Sequence, residues 1–369
     1  MSYSMRPYTF ANYRVQRGLS LIELMISITI GLLILVALTT LFVNQSWTRA
    51  ELDKSTRMIE NGRYAMELLS EDLRLAGFYG ELNPSTLALP TVLTDPCSTI
   101  PANMTNMLRI HVGGFDAAGV NSSIASPPCG LTNLKNGSDI LVLQRADTAT
   151  PVAQSAAVNG IHYIQVSRCG LDIPNFVISN IPANFTRRTF TPATATTSRI
   201  DCTATSVGPY ADLRRFSVHT YFVSTDNNPG DGIPTLKRME LDPAGSGTYI
   251  TTPLVEGIDY MQVEYGVDGA DTDGDGIPDS FNSGDLDGEA DYYGTCSACT
   301  IAQWANVVTV KIYIIARNIE KTPGYTDEAT KTYTLGQAGT FGPFNDSIKR
   351  HVYTQVVRLI NPSSRKETP

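Results

Sequence analysis

Residues Leu24–Val43 form a run of 20 residues without a charged side chain, rich in Ile, Leu and Val. Coiled as a helix at about 1.5 Å per residue, the run is roughly 30 Å long, the thickness of a bilayer core. Upstream, residues 1–18 hold three bases (Arg6, Arg14, Arg17) and no acid, which leaves 25 bases against 36 acids, net −11, in the rest of the chain. A basic head before an apolar span keeps the amino terminus in the cytoplasm and places the bulk of the chain outside. A secretory signal would put a small-residue cleavage site after a shorter apolar stretch. Here the order is reversed: Gly18 precedes the run, in Arg17-Gly18-Leu19-Ser20-Leu21-Ile22-Glu23-Leu24.

Glu23 is the unusual residue of that string. A carboxylate among Leu21, Ile22, Leu24 and Met25 costs a few kcal/mol if carried into hydrocarbon. One reading makes it a polar helix start at headgroup level. The other gives it a partner: cleavage after Gly18 would make the Leu19 α-amino group a cation, which Glu23 of a neighbouring subunit neutralises, setting register between helices.

Gly18-Leu19-Ser20-Leu21-Ile22-Glu23-Leu24-Met25 resembles the class III signal of type IV prepilins and type II secretion pseudopilins. The resemblance implies that a prepilin peptidase cuts after Gly18 and methylates the new amino terminus. It also implies that Glu23, fifth in the mature chain, serves subunit assembly. The family usually has Phe where this chain has Leu19.

Beyond Val43 a helical period continues. Leu52, Thr56, Ile59, Gly62, Met66, Leu69, Leu73 and Ala76 recur at spacings of three or four, with charged residues, Asp72 among them, on the other faces. No proline interrupts Leu19–Gly77, so the pattern predicts one helix over 19–77 with a transmembrane part at 21–43. Its second half is expected to lie on the head and its first half to protrude. From Phe78 the texture changes to short β-type runs between turn residues: Ile140–Arg145, His162–Ser167, Phe216–Ser224, Leu236–Leu241, Tyr260–Gly266, Val307–Arg317 and Val352–Ile360. Thr191–Ser198 reads as an exposed loop, and residues 80–215 have room for an inserted subdomain. The fold class is therefore α+β, a long amino-terminal helix of pilin type on a large antiparallel-β head spanning 78–369.

Leu254–Asp268 is similar to a segment of PilW-type minor pilins, and Asp231–Arg238 and the closing strand Tyr353–Asn361 fit the same group. The resemblance implies a minor pilin of a type IV pilus, acting in assembly initiation or a tip complex, in twitching motility and cell adhesion. Implied partners are other minor pilins, the major pilin, the prepilin peptidase and a large PilY-type tip adhesin. Implied places are the inner membrane before assembly, as a single-pass protein with a periplasmic head, and the extracellular pilus afterwards. The alternative is a large pseudopilin of a type II secretion system; a third reading is a membrane-anchored periplasmic enzyme.

Six cysteines (Cys97, Cys129, Cys169, Cys202, Cys296, Cys299) lie beyond the span, in a compartment that permits disulfides. Neighbours in sequence meet at least entropic cost, which favours 97–129, 169–202 and 296–299. Cys296-Ser297-Ala298-Cys299 also has the spacing of a redox or zinc motif, though no second Cys or His pair stands near. Between Met239 and Val310 there are 14 Asp/Glu and no Lys or Arg, and nine of these lie in 268–291. Asp271, Asp273, Asp275 and Asp279 occupy positions one, three, five and nine of a loop with Gly276 at six. Ile277 would offer its carbonyl, so the spacing suits Ca2+. Asn282 stands where an EF-hand has its bidentate Glu; Asp285, Asp287 or Glu289 are candidates to complete the shell. The net charge of −8 argues against a nucleic-acid partner. No hydrolase, nucleotide-binding or metalloprotease motif appears, and His111, His162, His219 and His351 are isolated in sequence, so no enzyme is expected.

Overall fold

The computed structural model describes residues 18–367 except 19, 118, 120, 170–171, 190–208, 273–279, 281–285 and 328–329. Residues 1–53 and 54–369 form two compact units. Helix α1 (Leu21–Leu75) contributes to both. In the first unit it is exposed from Leu21 to Ala50.

The second unit is α+β. Its strands run β1 (Val112–Phe115), β2 (Ile140–Ala146), β3 (Tyr163–Val166), β4 (Phe176–Ser179), β5 (Leu213–Ser224), β6 (Thr235–Leu241) and β7 (Tyr249–Glu256). Then follow β8 (Ile258–Val267), β9 (Tyr292–Gly294), β10 (Val307–Arg317), β11 (Tyr333–Thr334), β12 (Thr340–Phe341) and β13 (Arg350–Arg358). Short helices α2 (Pro101–Asn106), α3 (Ile301–Ala305) and α4 (Ile360–Lys366) lie between or after them. All pairings are antiparallel. The larger sheet forks at β5: β2 lines one edge, while β3–β4 take the start of the other edge and β6–β7 its end. The smaller sheet has the order β13-β10-β8-β9. Since β1–β4 join β5, residues 80–215 are no separate subdomain but half of the larger sheet.

Strand alternation explains the burial. In β2, Leu141 and Leu143 enter one core and Ile140 and Val142 another, the two faces of one pleated strand. The first core also holds Met66, Leu69 and Leu73 of α1 with Val263, Val310 and Ile312 of the smaller sheet. Thus residues 58–73 of the helix pack on both sheets. The buried stripe differs from the one expected: Leu52, Thr56 and Ile59 are exposed, while Met58, Ala65, Ser70 and Asp72 are buried. Gly62 is buried because the Tyr353 ring fills the space a Cβ would need, and Tyr353 donates its hydroxyl to the Ile59 carbonyl at 3.3 Å. Gly77 stops the helix in a left-handed conformation (φ 72°), its N–H donating to the Gln144 carbonyl at 3.0 Å.

Asp72 is buried because the larger sheet supplies its partners. Arg145 Nε lies 2.7 Å from Oδ1, and His219 Nδ1 at 2.5 Å and Tyr221 OH at 2.7 Å both donate to Oδ2. Burial by itself would raise the Asp72 carboxyl; the His219 hydrogen bond, with the His219 and Arg145 charges, outweighs it and holds the carboxyl well below the usual range. His219 also faces Glu240 (Nε2 to Oε2 3.4 Å), which Arg238 pairs at 2.7 Å. Burial disfavours the imidazolium, but the Asp72 and Glu240 hydrogen bonds prevail and raise its pKa. His219, isolated in sequence, is thus the centre of an ion network that fastens residues 54–75 to the sheet.

Candidate functional site

At the amino terminus Gly18 is exposed, and Leu19 lies outside the described residues, as do Arg6, Arg14 and Arg17. Ser20 starts α1. Its Oγ accepts from the Ile22 N–H at 3.2 Å, its carbonyl accepts from Leu24 at 3.1 Å, and its own N–H donates to Glu23 Oε2 at 2.9 Å. Ser20 thus caps the helix through the N–H of Ile22, and Glu23 closes the reciprocal half of a Ser-x-x-Glu capping box, its carboxylate satisfying an orphan donor in the first turn where the helix dipole favours it. Glu23 Oε1 takes no protein donor among the described residues, so the side chain can cap its helix and receive a second cation together. The Ser-x-x-Glu spacing is a legible helix-start signal, and it gives the reading of Glu23 as a polar helix start a specific partner in Ser20.

Within the apolar run the polar side chains are internally satisfied. Ser27 donates to the Glu23 carbonyl at 2.7 Å, Thr29 to Met25 at 3.0 Å, Thr40 to Val36 at 2.8 Å, and Thr39 to Leu35. Hydroxyls returned to their own helix leave no bare polar group for hydrocarbon to meet. Among the described residues the apolar side chains of the run stay exposed: Leu33 and Phe42 are each 70% exposed.

In the acidic segment, Asp273, Asp275, Ile277, Asp279 and Asp285 lie outside the described residues, whereas Asp271, Asp287 and Glu289 are exposed. The stem is built. Ala270 and Ser280 exchange backbone hydrogen bonds of 3.0 Å, and Asp291 Oδ2 accepts from the Gly269 N–H at 2.9 Å. Asp268 accepts from Gly288 N–H at 2.8 Å and lies 3.2 Å from Lys366 Nζ. The two end carboxylates, Asp268 and Asp291, therefore hold the stem.

Cys97 is bonded to Cys129 and Cys296 to Cys299, with Cα separations of 5.0 and 4.7 Å. Cys169 is also disulfide-bonded; Cys202 and Thr191–Ser198 lie outside the described residues. A disulfide at Cys296–Cys299 leaves no thiolate pair for zinc. Of the other histidines, His111 and His162 are buried against backbone carbonyls and His351 is exposed.

A class of protein follows from these parts: one amino-terminal helix, apolar and capped at a Gly-Leu-Ser-x-x-Glu start, and a disulfide-bonded antiparallel-β head. Residues 13–39 match the prokaryotic N-terminal methylation motif, which with the apolar helix suggests membrane anchoring and implies processing by prepilin peptidase. Residues 220–361 match the type IV pilus-assembly protein W family. The two matches support a PilW-like type IV pilin with a minor-pilin role, and imply association with other pilus components. Such domains point to a structural, non-enzymatic protein. The PilW match takes in β6–β13, hence the whole smaller sheet. No curated protein and no solved structure matches the chain.

Proposed function

We propose that this minor pilin acts in the initiation or tip complex of a type IV pilus, after cleavage between Gly18 and Leu19 and methylation of Leu19. The observation that carries the reading is the capped helix start: Glu23, the fifth residue after the cleavage point, has one oxygen on Ser20 and the other without a donor among the described residues. Before cleavage the apolar run spans the inner membrane once, with Arg6, Arg14 and Arg17 inside, the head in the periplasm and Trp47 at the outer interface. After cleavage the exposed apolar surface passes from lipid to the helices of other minor pilins and the major pilin. The Glu23 carboxylate then neutralises a neighbour's amino terminus, a charge pair whose worth grows away from water. The large head suits a place at the tip, beside a PilY-type adhesin, and links the protein to adhesion and twitching. Glu23→Ala is expected to be processed normally yet to be depleted at least tenfold from sheared pili. Normal incorporation would overturn the reading.

Residues 271–279 hold a calcium ion in the same head, Asp271, Asp273, Asp275 and Asp279 giving carboxylates and Ile277 its carbonyl. Supporting this are the spacing and a stem that the Ala270–Ser280 bridge closes around these residues. When bound, the ion supplies charge neutralisation for the clustered acids. Chelation is expected to lower the melting temperature of wild type by several degrees and that of Asp273→Ala by none.

A further inference from the structure

The head contains a cavity of about 340 Å³ whose charged lining is basic, although the chain as a whole is acidic. Arg109, from the turn after α2, meets Arg365 and Lys366, from the last turn of α4, around it. Arg109 donates one guanidinium N–H to the Leu87 carbonyl at 3.1 Å and has no carboxylate within ion-pair reach among the described residues. Arg365 donates to the Gly77 carbonyl at 2.8 Å. Lys366 meets Asp268 at 3.2 Å, with its side chain only 11% exposed. His111 is held neutral by burial, at about 4, helped by the Lys366 and Arg365 charges, and spends Nε2 on the Val307 carbonyl at 2.7 Å.

Half-buried cations that repel one another are costly unless an anion joins them. Burial lowers the Arg109, Arg365 and Lys366 pKa values, and Arg109 adds to that pressure on Lys366. The remaining wall sets the apolar Pro84, Pro362, Leu286 and Ala305 beside the polar Ser85 and Asn306. Such a lining fits a carboxylate carried on a short aliphatic stem: the guanidinium fork meets the two oxygens and the stem lies on the prolines. None of the three bases falls within the segment matched to the PilW family, so the match assigns this cavity nothing.

We propose that the Arg109–Arg365–Lys366 cavity binds a carboxylate on an aliphatic stem, either a free small dicarboxylate or an acidic side chain of a neighbouring pilus subunit. The second source rests on the minor-pilin reading above; the first does not.

The test uses the full-length protein in detergent, melted with glutarate, with inorganic phosphate and with sodium chloride at equal ionic strength. Glutarate at roughly 100 times its dissociation constant is expected to raise the melting temperature by about 3–5 °C beyond chloride, and phosphate by less. Arg109→Gln is expected to weaken glutarate roughly tenfold or more, and Arg109→Lys to recover much of the response. In cells, Arg109→Glu then separates the sources. Unchanged incorporation into sheared pili assigns the site to a free carboxylate, and depletion of a processed, folded subunit assigns it to a neighbour's side chain. No glutarate shift beyond chloride, or a full shift in Arg109→Gln, overturns the proposal. Wild-type protein in the same pilus preparations reads the minor-pilin role independently of the melting curves.

Discussion

Residues 21–53 and 54–75 belong to one unbroken helix, yet they meet the cost of apolar surface in opposite ways. From Leu21 to Ala50 every side chain is exposed, and the hydroxyls of Ser27, Thr29, Thr39, Thr40 and Thr48 fold back on the helix. From Met58 to Leu73 the apolar side chains enter a core shared with two sheets, and the one buried acid is enclosed by three partners. The difference teaches that the second half finds its cover within its own unit, while the first presents an apolar surface that suits a membrane anchor. A stretch of thirty exposed residues this apolar is stable only in company.

The largest expected effect falls on the buried half. Asp72→Ala leaves Arg145 and His219 without their carboxylate inside the unit, and should cost about 3–5 kcal/mol in a chemical-denaturation curve. A loss under about 1 kcal/mol would mean that the network does not fasten the helix.

Next is a matched pair. Leu69, fully buried, should lose about 2–5 kcal/mol on Leu69→Ala through transfer and cavity terms. Leu33→Ala in the exposed half should change head stability by less than about 0.5 kcal/mol, its effect appearing only in membrane retention or pilus incorporation. Equal losses in both would break the comparison.

The smallest effect is a dependence on pH. His219 faces Asp72 on α1, Glu240 and Arg238 on β6, Arg145 on β2 and Tyr221 beside it. Its folded pKa is raised, so its contribution is full below the unfolded value of about 6.5 and fades as pH rises through the folded value. Asp72 works the other way: its depressed pKa gives stability that is present above about pH 4 and fades as pH falls through the folded value. The melting-temperature gap between wild type and His219→Gln should therefore be widest between about pH 4 and 6.5 and narrow above. A gap that grows toward pH 9 would contradict the network.

Much of this was legible in the residues. Unbroken apolar or alternating runs mark β5, β8 and β10, and Val307–Arg317 coincides with the strand. Strands whose signals were diluted escaped: Val-Gly-Gly-Phe in β1 has no side chains at its centre, and β7 carries Pro253 at an edge that pairs only with β6. The Ser20–Glu23 cap was available from spacing alone. Asp72 was not, because it shares the look of its exposed charged neighbours and its partners lie 73 to 149 residues away. The Arg109–Lys366 cavity was hidden for the same reason: charges far apart in sequence become a site only when a fold gathers them.

The central claim is that the exposed half of α1 belongs to a processed pilin. It is tested most directly by the mass of the amino-terminal peptide from cells with and without a working prepilin peptidase. The account predicts a peptide beginning at Leu19, one methyl heavier, only where the peptidase works. An intact Met1 start in both strains would contradict it and leave the capped helix as the anchor of an unrelated periplasmic protein.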